Sequence, residues 1–261
     1  MSDHLTRIRH EFSRQAEAMS AATIFTDEQI LSRIRDATGL TRHMRVLDLA
    51  CGPGIVSEVL AHDAGDVIAC DITPLMLTRT RRRCTDAGIG NVHCTLAQAE
   101  VLPFTNATFD AVVNRSALHH FSNPATVINE MVRVIRPSGR LVIVDVMSSE
   151  KAEESALHNA LETLRDPSHV RMLPQSEILH QLAKSGVEIQ STLTWSNQRE
   201  FDEWLRITNA PERMAPLRIV MQALARAGLK AGINLQPDGT SVVFEHNALL
   251  VVGIKPPGVS R

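Results

Sequence analysis

The stretch Val46-Leu47-Asp48-Leu49-Ala50-Cys51-Gly52-Pro53-Gly54 decides the fold of this chain. Its first half is a short apolar run, which is typical of a strand buried on both faces, and the run ends at a Gly-Pro-Gly turn. Beyond the turn, apolar residues at Ile55, Val56, Val59 and Leu60 recur at helical spacing. The stretch therefore predicts a strand, a tight turn and a helix whose free N–H groups point at whatever lies in the turn.

Two carboxylates accompany this turn and indicate what it binds. Asp48 lies beside the turn, where Gly52 and Gly54 carry no Cβ that would hold a ligand away from the backbone. Asp71 ends the next apolar strand, about twenty residues after the glycines, the separation at which an acidic side chain reaches a ribose in mononucleotide-binding βαβ units. Glycine-rich turns occur in many α/β proteins, so the prediction of a nucleoside ligand depends on the glycines and Asp71 together.

Length and composition restrict the class of protein. A chain of 261 residues has room for one sizeable core with a small cap, and its net charge of -2 gives no electrostatic footprint for nucleic acid or an anionic membrane. No apolar run approaches the roughly 20 residues of a membrane span, and the first 25 residues lack the apolar segment of a signal peptide. We expect a cytoplasmic protein. Four cysteines without C-x-x-C spacing are interpreted as buried thiols: Cys51, Cys70, Cys84 and Cys94.

The rest of the chain alternates between strand and helix patterns. An amphipathic helix precedes the core, and Thr26-Asp27-Glu28-Gln29 predicts a capping box that opens a second helix, which Gly39 ends. Helices beginning at Pro74 and Pro124 separate further short apolar segments, so the pattern predicts βαβ units and a parallel sheet. The third, fourth and fifth strands are predicted at 92–96, 109–114 and 140–146.

The regular alternation of strand and helix patterns ends after Asp145. Two helical regions surround a sixth strand at 187–195, and the second region is expected to break near Pro211 and Pro216. The turn Asp238-Gly239 precedes a long last strand at 241–254, which arrives without a crossover helix and is therefore expected to be antiparallel. The predicted division is an N-terminal helical lid (1–38), a ligand-binding core (39–149), helical cap insertions (150–185 and 199–230) and the last strands of the sheet (186–198 and 240–256).

Several further motifs follow the first two in a fixed order. They are Ala99-Glu100-x-Leu102-Pro103-Phe104, Phe109-Asp110, Ala117-Leu118-His119-His120-Phe121 and Arg136-Pro137-x-Gly139-Arg140. With Asp48 to Gly54 and Asp71, they make residues 40–150 resemble the class I S-adenosylmethionine-dependent methyltransferases, in particular the ubiquinone/menaquinone C-methyltransferase subgroup. The resemblance implies a Rossmann-like, doubly wound α/β fold whose seven-stranded sheet is mostly parallel, with an antiparallel last strand and a helical cap.

The resemblance also implies a cofactor, S-adenosylmethionine, which leaves as S-adenosylhomocysteine. Asp48 and the glycine turn would hold its methionine part, and Asp71 its ribose hydroxyls. The chain departs from many relatives at Gln98, where they carry Asp, and at Met19, where they carry a tyrosine that closes the pocket. The implied cofactor-binding residues are Asp48, Ala50, Cys51, Gly52, Gly54, Asp71, Ile72, Met76, Gln98, Ala99, Glu100, Asn114 and Ser116.

Methyl transfer from a sulfonium is an in-line displacement in which the cofactor already supplies the electrophile. The protein mainly positions the acceptor, and a general base is needed only if the acceptor must lose a proton early. Candidates for that base are His119, His120, His169 and Asp166. The alternative reading is that the histidines orient loops, and that Asp166 and His169 only cap the following helix.

Four functions remain open from the sequence. The sequence favours a methyltransferase that acts on a small-molecule acceptor. A methyltransferase that acts on RNA or protein is less favoured, because the sequence has no basic cluster with interleaved aromatics. A nicotinamide dehydrogenase is suggested by Gly52-x-Gly54-x-x-Ser57, although Ser57 replaces the last glycine of that fingerprint. A protein that binds the cofactor without methylating is the fourth. No metal is expected, because the cap shows no cysteine set or carboxylate–histidine cluster, and a homodimer is left open.

Overall fold

The structure is a computed structural model, which describes residues 3–258, so the first two residues of the predicted lid lie outside the described residues. Its centre is a sheet in the order β3-β2-β1-β4-β5-β8-β6, with β7 paired to β8. The strands are β1 (Arg45–Leu49), β2 (Asp66–Asp71), β3 (Val92–Leu96), β4 (Phe109–Arg115), β5 (Ile135–Val146), β6 (Glu188–Glu200), β7 (Gln236–Asp238) and β8 (Ser241–Ile254).

The strand directions confirm the predicted Rossmann-like α/β fold. The strands β1 to β5 pair in parallel, whereas β8 runs antiparallel to both β5 and β6. Seven strands follow the main path, and the short β7 makes an eighth by folding back on β8 at the predicted Asp238-Gly239 turn. The strand order reverses between β1 and β4, which is the position where open α/β sheets bind ligands.

Helices cover both faces of the sheet, and most begin where the sequence predicts. Pro74 and Pro124 are the first residues of their helices, and Gly39 ends another in the left-handed conformation. The predicted capping box is wrong in one detail, because Asp27 rather than Thr26 is the N-cap. The helices are α1 (Asp3–Ala21), α2 (Thr23–Thr26), α3 (Glu28–Thr38), α4 (Ile55–Ala61), α5 (Pro74–Asp86), α6 (Pro124–Val134), α7 (Ala152–Arg165), α8 (Gln175–Lys184), α9 (Phe201–Arg206) and α10 (Pro211–Arg226).

The two faces of the sheet build two hydrophobic layers. Val46 and Leu47 are both fully buried, and they belong to different layers because consecutive side chains of a strand point to opposite faces. One layer includes Ile34 of α3, and the other includes Ile178 of α8. The intervals predicted as lid and cap therefore each contain a helix, α3 and α8 respectively, that packs in the core of the sheet.

A third hydrophobic cluster joins α7, α9 and α10 to the far end of β8, with Trp204 and Phe244 at its centre. The expected break at Pro216 is absent, since α10 runs through it and buries Leu217 and Met221 on the same cluster. The strand β6 also extends to Glu200, further than its apolar residues predict, because it stays paired with β8. No helix within residues 3–258 has the length and apolar character needed to cross a membrane.

Candidate active site

The turn after β1 has an unusual backbone. Ala50, Gly52 and Gly54 all have positive φ angles, of 56°, 55° and 82°. A Cβ added at Gly52 would meet nothing within 4 Å, whereas one at Gly54 would lie 2.6 Å from Cγ2 of Thr80 on α5. Gly52 therefore faces open space, as a ligand-binding turn requires. Gly54 permits close packing of the turn against α5, and its predicted contact with the ligand would be made by its backbone.

Asp71 ties this turn to the end of β2. Its carboxylate accepts hydrogen bonds from the backbone N–H of Gly52, at 3.0 Å, and of Thr73, at 2.7 Å. Burial raises the pKa of Asp71, and these hydrogen bonds oppose that change. Each carboxylate oxygen can accept a further hydrogen bond, so the side chain can still receive two hydroxyl groups.

Asp48 lies beneath the same turn and is almost fully buried. The hydroxyl of Ser57 donates to its Oδ2 at 2.5 Å. Burial raises the pKa of Asp48 to about 7, and the charge of Asp71 adds to that effect. A cationic ligand group beside Asp48 would favour its ionised form, because opposite charges stabilise each other at short range.

These groups surround a pocket, here called the first cavity, at the carboxyl ends of β1, β2 and β4, with about 940 Å³ of space including its open mouth. Four of the thirteen residues expected there are absent from its lining. Gly54 packs on α5, Met76 is buried inside α5, Gln98 points to solvent, and Asn114 donates across the sheet to the carbonyl oxygen of Leu49. The nine that line the cavity are Asp48, Ala50, Cys51, Gly52, Asp71, Ile72, Ala99, Glu100 and Ser116.

A second cavity, with about 910 Å³ of space including its open mouth, adjoins the first. Residues of α1 and α2 cover the passage between the two cavities, whose shared lining residues are Phe12, Met19, Phe25, Arg115, Ser116 and His120. Trp195 and Ile30 contribute apolar surface to the second cavity, and its polar lining includes His119, Asp145, Asp166, Arg165 and Arg199. One cavity can thus hold a nucleoside-containing ligand while the other holds an amphipathic molecule.

The structure brings the candidate bases together around this passage. The ring centroid of His119 lies 4.4 Å from that of His120 and 5.7 Å from that of His169. Nδ1 of His119 is 2.5 Å from Oδ1 of Asp145. Burial disfavours the charged form of His119, but the Asp145 carboxylate outweighs it and raises the pKa of the imidazole.

His120 is held in the neutral state. Its Nδ1 lies 3.0 Å from the carbonyl oxygen of Ser168, which can only accept, so Nδ1 carries the proton and Nε2 is left as an acceptor. Burial lowers the pKa of His120 to about 4, and the neighbouring His119 lowers it further in the same direction. His120 is the candidate base that lines both cavities.

Asp166 and His169 hold the loop that faces the two histidines. Asp166 accepts from the side chain of Gln15 on α1 and from the N–H and hydroxyl of Ser168. Nε2 of His169 donates to Oδ1 of Asn159 at 2.8 Å, and burial lowers the pKa of His169 to about 3. His169 lines neither cavity, so its contacts fit a positioning residue.

Sequence reasoning missed a buried carboxylate–histidine cluster in the cap, and the premise that none exists there was wrong. Ligand atoms of His158, Glu162 and His246 lie within 4.8 Å of one another. His246 comes from β8, so its proximity to α7 is visible only in the fold. Nδ1 of His246 accepts from Arg199, and Arg165 donates to Glu162, so two guanidinium groups contact this cluster. A metal cation would meet a protonated Nε2 and two positive charges there.

Comparisons with known proteins place this architecture in a class. Residues 47–143 match the family described as "Methyltransferase domain", and the fold is that of the class I methyltransferases. Over these residues the chain is similar to methyltransferase domains, as the order of its motifs predicts.

Individual relatives agree with this class. The chain is 28% identical to an uncharacterised methyltransferase, YcgJ, of Bacillus subtilis, over 94% of the chain and 97% of the relative. The crystal structure of YcgJ superposes with a TM-score of 0.81, at 26% identity, over 87% of this chain and 98% of that one. The ubiquinone/menaquinone biosynthesis C-methyltransferase UbiE of Serratia proteamaculans is 29% identical over 66% of the chain and 74% of its own length, which confirms the resemblance to that subgroup. A geranyl diphosphate methyltransferase solved with S-adenosylmethionine shares the fold at 16% identity, with a TM-score of 0.61 over 87% of this chain and 84% of that one.

Proposed function

We propose that this protein is an S-adenosylmethionine-dependent methyltransferase that acts on a small-molecule acceptor. The observation that carries the proposal is the open face of Gly52, which lies between the buried carboxylates of Asp48 and Asp71 and looks into the first cavity. A Cβ would fill that space, so the turn leaves room for a ligand that approaches the backbone closely.

The residues present fit the parts of this cofactor. Asp71 offers two carboxylate oxygens to the ribose diol, and Ile72 and Ala99 offer apolar surface to the adenine. Asp48 is charged or neutral according to its surroundings, since its pKa lies near 7, and a cationic ligand selects the charged form. Bound there, S-adenosylmethionine supplies an electrophilic methyl group on a sulfonium.

The acceptor would occupy the second cavity and reach the first through the shared passage. His120 lines that passage, and its Nε2 has no hydrogen-bond partner among residues 3–258, so it can take a proton from an acceptor that ionises readily. Asp145 raises the pKa of His119, and in its protonated form this imidazole can donate a hydrogen bond to the same acceptor. Asp166 and His169 hold the loop that faces the two histidines, and Asp166 also lines the second cavity, where it can contact the acceptor.

A transfer assay with methyl-labelled S-adenosylmethionine tests this proposal. We expect label to move to at least one class in a panel of small phenols, quinols, amines and carboxylic acids. Transfer only to bulk RNA or protein would favour the second candidate function, and cofactor binding without transfer to any acceptor would favour a non-methylating protein.

Once an acceptor is identified, His119→Ala tests the proposed hydrogen-bond donor and His120→Ala tests the proposed base. We expect each to reduce turnover while affinity for S-adenosylhomocysteine stays within a few-fold, and loss of a general base costs about 10²–10⁴-fold in rate. Unchanged turnover in both variants would remove the histidines from the chemistry.

A further inference from the structure

Arg115 lies at the end of β4 and lines both cavities. The sequence motifs assign it no role. We propose that Arg115 binds the carboxylate of the amino-acid part of the cofactor. This inference rests on the proposed function, and it assigns one residue to one chemical group of the ligand.

The charges of the first cavity give the first argument. Its lining contains three acidic side chains, Asp48, Asp71 and Glu100, and among the lining residues described here Arg115 is the one side chain that is cationic at neutral pH. The remaining basic group, His120, is neutral because burial lowers its pKa to about 4. A ligand carboxylate placed among three acids would be repelled, so it needs Arg115 as its partner.

The present partners of Arg115 give the second argument. Its guanidinium donates to the carbonyl oxygens of Phe25, at 2.8 Å, and Ile24, at 3.1 Å, which are neutral acceptors on α2. No carboxylate of residues 3–258 forms an ion pair with it within 4 Å, whereas Arg165 and Arg199 in the second cavity each have a glutamate partner. A guanidinium has five N–H donors, so Arg115 keeps donors for a further acceptor.

Asp48 and Arg115 together match a zwitterion. Burial lowers the pKa of Arg115 to about 10, and the charge of Asp48 acts against that shift, so the two groups lie close enough to influence each other. The α-amino group of the cofactor carries the charge that Asp48 attracts, and its α-carboxylate carries the charge that Arg115 attracts. A planar guanidinium can hold a carboxylate through two parallel hydrogen bonds.

The test uses two ligands that differ in the carboxylate alone: S-adenosylmethionine and its decarboxylated form, titrated calorimetrically. For the wild type we expect the decarboxylated ligand to bind about 10- to 100-fold more weakly, the range of a charge-assisted hydrogen bond. Equal affinities for the two ligands would overturn the proposal without any variant.

Variants then assign the effect to Arg115. We expect Arg115→Gln to lose affinity for S-adenosylmethionine and to bind both ligands alike, and Arg115→Lys to recover part of the difference. Arg82→Gln, an exposed arginine on α5, serves as the matched control and should change neither affinity. An equal loss for both ligands in Arg115→Gln would mean that the residue acts only through Ile24 and Phe25, and would overturn the assignment.

Failure of the proposed function gives a different result. Wild-type protein that binds neither ligand would contradict cofactor use itself, and the assignment of Arg115 would fail with it. Binding of both ligands with no dependence on Arg115 would contradict the assignment alone.

Discussion

Nδ1 of His119 lies 2.5 Å from Oδ1 of Asp145, and both side chains are almost completely buried. The Asp145 carboxylate also accepts from the backbone N–H groups of Leu118 and Val146, each at 2.7 Å. These bonds fix the carboxylate at the end of β5 and the imidazole in the wall of the second cavity. The pair therefore places an imidazole with a raised pKa in the lining next to His120.

The stability of this pair depends on pH in a defined direction. The folded pKa of His119 is raised above the unfolded value of about 6.5, so its stabilisation is complete below that pH and is lost as pH rises through the folded pKa. The folded pKa of Asp145 is lowered, because His119 and the backbone donors outweigh burial, so its contribution is lost as pH falls below about 3.9. We expect Asp145→Asn to destabilise the protein by about 3 kcal/mol near pH 5.5 and by less above pH 8.

Urea unfolding of both proteins from pH 5 to pH 9 measures this difference. His119→Gln and the double variant serve as controls. In the His119→Gln background, the destabilisation caused by Asp145→Asn should depend less on pH than it does in the wild-type background. A destabilisation that is equal at every pH would contradict an ion pair between His119 and Asp145.

Gly52 and Gly54 should respond differently to the same substitution. We expect Gly54→Ala to destabilise the protein by about 3 kcal/mol or more, because its Cβ would overlap Thr80 and because φ is positive. Gly52→Ala has only the conformational cost, about 1–2 kcal/mol, but its Cβ enters the first cavity and should weaken binding of S-adenosylhomocysteine. Thermal unfolding and calorimetry separate the two effects, and equal cofactor affinity in Gly52→Ala and wild type would contradict the proposed ligand position.

Cofactor binding should release a proton through Asp48. Its pKa of about 7 in the free protein means that a large fraction is protonated at pH 6.5, and the cationic amino group of the ligand favours the charged form. We expect affinity for S-adenosylhomocysteine to rise from pH 6 to pH 8. Titrations at pH 6.5 in two buffers of different ionisation enthalpy should show net proton release, and Asp48→Asn should abolish it. Proton release that persists in Asp48→Asn would assign it to another group.

Replacing Asp71 by a side chain of the same shape should reduce cofactor affinity more than it reduces the stability of the fold. Asp71→Asn retains an oxygen acceptor for the N–H groups of Gly52 or Thr73 but loses the charge toward the ribose hydroxyls. We expect affinity for S-adenosylhomocysteine to fall about 10- to 100-fold. Asp66→Asn, at the other end of β2, is the matched control and should bind like the wild type. Comparable losses in the two variants would contradict a ribose contact at Asp71.

The parts of the fold that local patterns specify could be predicted from the sequence. The apolar strands and the prolines at helix starts sit where they were expected, and the glycine turn brings Asp48 near Asp71 through strand pairing. Other features depend on contacts distant in sequence. The helix α10 continues through Pro216 because Leu217 and Met221 are buried on the third hydrophobic cluster, and β6 is extended by pairing with β8.

The same distinction holds in the candidate site. His119 and His120 belong to a recognisable motif, and both line the second cavity. Arg115 belongs to no such motif, and its partners on α2 are set by tertiary packing. Met76 and Gln98 have the expected places in the chain, yet the first turns into the core and the second into solvent. Position along a motif does not define where a side chain points.

The most direct measurement is calorimetric titration of the purified protein with S-adenosylmethionine, S-adenosylhomocysteine and NAD. We expect micromolar binding of both adenosyl ligands and no binding of NAD, because in the proposed site Asp48, Gly52 and Asp71 would hold a nucleoside joined to a cationic amino acid. Binding of NAD alone, or of none of the three, would contradict the proposed cofactor.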